Sequence, residues 1–182
     1  MKKILFLIVV LFGTALAPAS AAPVPTIAVI DVGANTSLFS NIITEVCIVE
    51  MLTCPNGKLF MEGKGAADTG VPKYKTIDHG TNMLSIINNV NPNIGLIPIK
   101  IVSTTVSGAP GLYTNNAVKS ALDWVVKNKT KYNIVAVSVS QGKIFAGCGV
   151  PAGTADLVES LRSNNVPVIA AAGNDGDSKN MF

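Results

Sequence analysis

The chain has 182 residues, of which 48% are hydrophobic and 14% charged, with a formal net charge of +3. That length holds one domain with a sizeable core, and so apolar and weakly charged a chain is not a disordered one. Lys2 and Lys3 supply most of the positive excess and no long basic run follows them, so charge gives no support for nucleic-acid binding or recruitment to anionic membranes, and neither partner is expected.

Residues 1–21 read as a secretory signal: Lys2-Lys3, an apolar stretch from Ile4 to Leu16, then Ala19-Ser20-Ala21 as an A-x-A cleavage site. The apolar stretch is shorter than the ~20 residues a spanning helix needs, so export and release are expected, with the product secreted or periplasmic and not held in the membrane. Residues 22–182 form the remaining domain. A buried strand is predicted over Ile27–Ile30, running into Asp31 and Gly33, and a second over Ile43–Val49. Cys47 and Cys54 bracket Ile48 to Thr53, a candidate hairpin turn, and in an exported chain a Cys47–Cys54 bridge is the favoured pairing. Cys148 is then left as a free thiol or as the partner of a cysteine beyond residue 182. Residues 55–78, rich in Gly, Lys and Asp, read as the rest of a hairpin followed by a surface loop.

His79, the only histidine, precedes a helical pattern over Thr81–Asn89. Strands follow over Ile97–Val102, Ile134–Val139 and Val166–Ala171, with helices over Asn115–Lys127 and Thr154–Asn164 between them. In the first of these helices Ala117, Val118, Ala121, Leu122 and Val125 recur at helical spacing. Continuous Val/Ile strands alternating with helices predict a doubly wound, three-layer α/β/α domain built on a parallel sheet. Such folds place their sites beyond the carboxyl ends of the strands, where Asp31 and Asn174 both fall.

Taken singly, each candidate has a plain reading. Asp31 serves as a turn aspartate, His79 as a histidine without function, and Asn174-Asp-Gly176 as a strand-ending turn. A zinc site lacks a second histidine and a spaced cysteine cluster. A nucleotide site lacks G-x-G-x-x-G and a Walker lysine. The order of the segments is more informative than any one of them. Thr26-Ile-Ala-Val-Ile-Asp31-Val-Gly33, His79-Gly80-Thr81 and Val166-Pro-Val-Ile-Ala-Ala-Ala-Gly173-Asn174-Asp-Gly176 present acid, histidine and asparagine, each in its strand or helix context. Between them lie Leu96-Ile-Pro-Ile-Lys100-Ile-Val102 with Ser107-Gly108, and Ile134-Val-Ala-Val-Ser-Val-Ser140-Gln-Gly142. From about Thr26 to Gly176 the chain resembles the N-terminal part of the catalytic domain of subtilisin-like serine proteases, the subtilases.

The resemblance implies a subtilisin-like sheet that is C-terminally incomplete. It implies an exported serine endopeptidase that hydrolyses peptide bonds through a Ser/His/Asp triad. Asp31 would orient the imidazole, His79 would act as general base, and Asn174 would donate to the oxyanion. Ser107, Gly108, Ser140, Gln141 and Gly142 would bind a peptide or protein substrate by strand addition along the cleft. No cofactor is implied, and the short Asn88–Gly95 loop offers no clear set of calcium ligands, so no metal is expected. The family's serine lies in a Gly-Thr-Ser that is absent here, and Gly153-Thr154-Ala155 has alanine in its place and comes too early. With Asp31 about ten residues beyond the expected cleavage site, the family's long propeptide is not expected either. The chain is therefore expected to be an inactive fragment of such an enzyme, with uncovered sheet faces and poor solubility. The alternative is an exported, non-catalytic pseudoprotease that binds peptides on the same fold.

Overall fold

The computed structural model describes residues 23–70, 78–103, 115–141 and 152–172. Six strands form one sheet: β1 (Thr26–Asp31), β2 (Val46–Ile48), β3 (Phe60–Glu62), β4 (Gly95–Lys100), β5 (Ile134–Val139) and β6 (Val168–Ala170), in the order β3-β2-β4-β1-β5-β6. Every pairing is parallel except the antiparallel β2–β3 hairpin. Among the described residues there are three α-helices, α1 (His79–Val90), α2 (Asn115–Asn128) and α3 (Thr154–Ser163), and a short 3-10 turn at Thr36–Leu38. The α/β architecture is the one the alternating strand and helix patterns predict.

Side-chain alternation along the strands sorts the core into two layers. Ala28 and Ile30 of β1 and Ile97 and Ile99 of β4 face α2 and α3, where Ala121, Leu122, Val125 and Leu161 meet them. Val29 and Leu96 face the opposite way and pack on Leu84, Met83 and Ile87 of α1. By the same alternation Asp31, two residues beyond Val29, emerges on the α1 side. The coverage is unequal. The α1 helix contacts β1 and β4, while Ile169 on β6 is 57% exposed.

The structure moves several expected boundaries. The second strand is three residues long rather than seven, because Ile43 bonds singly to the Leu96 carbonyl and Glu45 turns inward before regular pairing begins at Val46. The last strand starts at Val168 because the Val166 amide closes the end of α3 on the Leu161 carbonyl. Helix α1 begins at His79 itself, two residues before the expected start, with no side-chain cap from Asp78.

The Cys47–Cys54 disulfide is present, with Cα atoms 5.9 Å apart. Its setting differs from the expected one. The chain reverses at residues 54–58, where the Cys54 amide bonds to the Lys58 carbonyl and the Gly57 amide to the Cys54 carbonyl, and not between the two cysteines. Strand β3, the expected rest of the hairpin, is fastened at Glu62, which accepts from Trp124 Nε1, Lys131 Nζ and the Tyr132 hydroxyl. Burial pulls the Glu62 carboxyl upward, but these three donors together hold it below the ordinary glutamate value.

Candidate active site

Asp31 ends a strand that is buried along nearly its whole length, and it is itself only 2% exposed. A carboxylate so placed must find donors inside the protein. It has three. The Val32 amide donates to Oδ1 at 2.7 Å, Gln141 Nε2 donates to Oδ1 at 3.1 Å, and His79 Nδ1 lies 2.9 Å from each carboxylate oxygen. An ionised carboxylate only accepts, so Nδ1 must carry the proton when the ring is neutral, and Nε2 is left with its lone pair. The His79 side chain is 41% exposed, so the pair has one buried member and one open to solvent.

Close contact between β1 and the start of α1 makes this possible. Gly33, two residues past the acid and at φ +96°, turns the chain, and its carbonyl oxygen lies only 2.0 Å from where a Cβ on Gly80 would sit. Only a glycine beside His79 lets the helix approach so near. The Asn35 amide then donates to Thr81 Oγ1 at 2.9 Å, a second tie between the loop after β1 and the first turn of α1.

Lys100, at the end of β4, is in register with Asp31 and only 6% exposed. Burial pushes its amine below the ordinary lysine value, and the negative charge of Asp68 partly opposes that. Asp68 in turn accepts from the amides of Thr36 and Gly70.

The structure thus gathers Asp31, His79 and Gln141, three of the eight residues singled out from the sequence. Ser140 directly follows β5 beside Gln141. Ser107, Gly108, Gly142 and Asn174 lie outside the described residues, as does Cys148. Gln141, expected to line the substrate cleft, has its amide on Asp31. Sequence reasoning passed over Lys100, whose signal was a lone cation closing an otherwise apolar strand. It also gave no part to Gly80 and Thr81, although both stand in the histidine motif. Among the described residues no group of three or more His, Cys, Asp or Glu side chains forms a candidate metal site.

No family model matches the chain, and no curated protein does. Among solved structures it is similar to the prenylagaramide maturation protease PagA, at 18% identity over 88% of this chain and 50% of that one, with a TM-score of 0.54. The chain shares its fold with a protease. It is also similar to a lanthipeptide protease, at 18% identity over 84% of this chain and 40% of the other, with a TM-score of 0.46. The chain therefore spans half of the first protease's length and less of the second's.

Proposed function

We propose that this chain is the acid–base half of an exported, subtilisin-like serine endopeptidase, whose nucleophile is supplied by sequence outside these residues. One observation carries the reading. A buried aspartate at the carboxyl end of a central parallel strand holds Nδ1 of the chain's only histidine at 2.9 Å, in a fold shared with a protease. In the proposed reaction Asp31 fixes the ring tautomer and stabilises the imidazolium as it forms. Nε2 of His79, left with its lone pair, takes the proton of an attacking serine hydroxyl and returns it to the leaving amine. Asn174 donates to the oxyanion, and the segments around Ser107-Gly108 and Ser140-Gln141-Gly142 receive extended peptide along their backbones. Residues 1–21 direct export, and the mature product acts outside the cytoplasm.

The test uses the gene read through codon 182 and beyond, and its complete product. A downstream Gly-Thr-Ser, labelling of its serine by a fluorophosphonate probe, and hydrolysis of casein are expected. Replacing His79 with Ala should lower hydrolysis by at least a thousandfold, since acid, base and nucleophile act as a unit. Full activity in a folded His79→Ala product would overturn the assignment.

A further inference from the structure

Asp31 has two oxygens, and the described contacts divide them unequally. Oδ1 takes the Val32 amide, the Gln141 amide and a share of His79 Nδ1, while Oδ2 takes only His79 Nδ1. The Val32 amide belongs to the next residue of the same chain and comes with the strand wherever it goes. Gln141 is 110 residues away in sequence, on the turn leaving β5, the neighbour of β1 opposite to β4. Among the described residues its amide is the one donor, other than His79, that reaches the carboxylate from outside β1 and the residue that follows it.

We propose that the side chain of Gln141 is a positioning group for the Asp31–His79 pair, leaving only the backbone of its segment to meet substrate. The inference rests on the acid–base reading above and goes beyond it. A carboxylate can turn about its Cβ–Cγ bond, and a carboxylate held only by its neighbour's amide is free to do so within the limits of packing. The Gln141 donor pins Oδ1 from the β5 side. The carboxylate plane is then fixed with both oxygens equidistant from Nδ1. At 2% exposure no solvent is at hand to replace a lost donor, so removal of the amide leaves a buried acceptor site unfilled. The carboxylate then rotates or draws away to recover a partner, and the bond to Nδ1 loosens.

The single histidine makes this testable on the full chain without any catalytic assay. With the ring labelled with nitrogen-15, the tautomer and the exchange of the Nδ1 proton with water are read by NMR. The parent chain should show the Nδ1–H tautomer with a slowly exchanging proton; a freely exchanging proton in the parent would sink the Asp31–His79 reading itself. Gln141→Met, similar in length and lacking a donor, should speed that exchange at least tenfold while the far-UV circular dichroism is retained. Gln141→Asn, one methylene too short to reach, should do the same and serves if the methionine variant does not fold. Exchange within twofold of the parent in either folded variant overturns the proposal, even if stability has fallen, because a purely structural glutamine would lower stability without touching the ring proton.

Discussion

Replacing Gly80 with alanine sets two well-known effects against each other, and the structure decides between them. Inside an ordinary helix the change gains about 1 kcal/mol through backbone entropy. Here the new Cβ would stand 2.0 Å from the Gly33 carbonyl oxygen, 3.0 Å from the Gly33 carbonyl carbon and 3.2 Å from Asp31 Cβ. The nearest neighbour is backbone, so no side chain can swing aside. Restoring an ordinary contact requires a retreat of roughly 1 Å or more between α1 and the loop after β1, and overpacking of that kind costs about 1–3 kcal/mol. The balance is a loss of up to about 2 kcal/mol where a surface helix would show a gain. The functional effect is larger. His79 is the adjacent residue, and a shift of about 1 Å carries its 2.9 Å contacts with Asp31 beyond hydrogen-bond range. Urea unfolding of Gly80→Ala measures the first consequence, and exchange of the His79 Nδ1 proton the second. The reasoning is refuted if the variant is more stable than its parent, or if that proton stays as protected as before.

Lys100 predicts a rise in stability on the alkaline side. Burial lowers its amine from the ordinary value of 10.5, so between the lowered folded-state value and 10.5 the unfolded chain binds a proton that the folded chain does not. The penalty is fully present below that window and is relieved as pH rises through it. Urea midpoints from about pH 8 to 11 should therefore climb for the parent relative to Lys100→Met, and parallel profiles would show that the amine is not desolvated. The Cys47–Cys54 bridge closes a short loop, with a sequence separation of 7, for which the chain-entropy relation gives about 2.5 kcal/mol. A Cys47→Ser/Cys54→Ser double variant should lose about that much in urea unfolding. An unchanged midpoint would mean the bridge constrains nothing in the unfolded chain.

The main elements were legible because their patterns are long and pure. Strands β1, β4 and β5 are apolar runs, and α2 repeats its apolar residues at helical spacing; both kinds of signal survive without tertiary context. Strand β3 was legible only as the rest of a hairpin. Leu59, Phe60 and Met61 are too short a run to bound a strand, which forms because β2 offers its edge and Trp124, Lys131 and Tyr132 hold Glu62. The site divides in the same way. Asp31 and His79 were legible through the order of their segments along the chain, not through either residue alone. The amide of Gln141 reaches Asp31 across 110 residues, and Gly80 matters through a backbone oxygen that no pattern records. Both follow from which strands become neighbours, and that is decided by the packing of the whole sheet.

The two margins of the sheet are finished differently. At one, β3 is a three-residue strand running against its neighbour, close to a disulfide and clasped by three donors on its glutamate. At the other, β6 runs parallel to β5 and carries an apolar side chain 57% open to water. Among the described residues its outer side presents amides and carbonyls with no strand beside them. A rim of that kind is a template for any extended backbone, including that of another copy. The β3 margin is an edge of the same kind, with Phe60 47% exposed, so among the described residues what distinguishes the two rims is the direction of the strand at each and the clasp on Glu62.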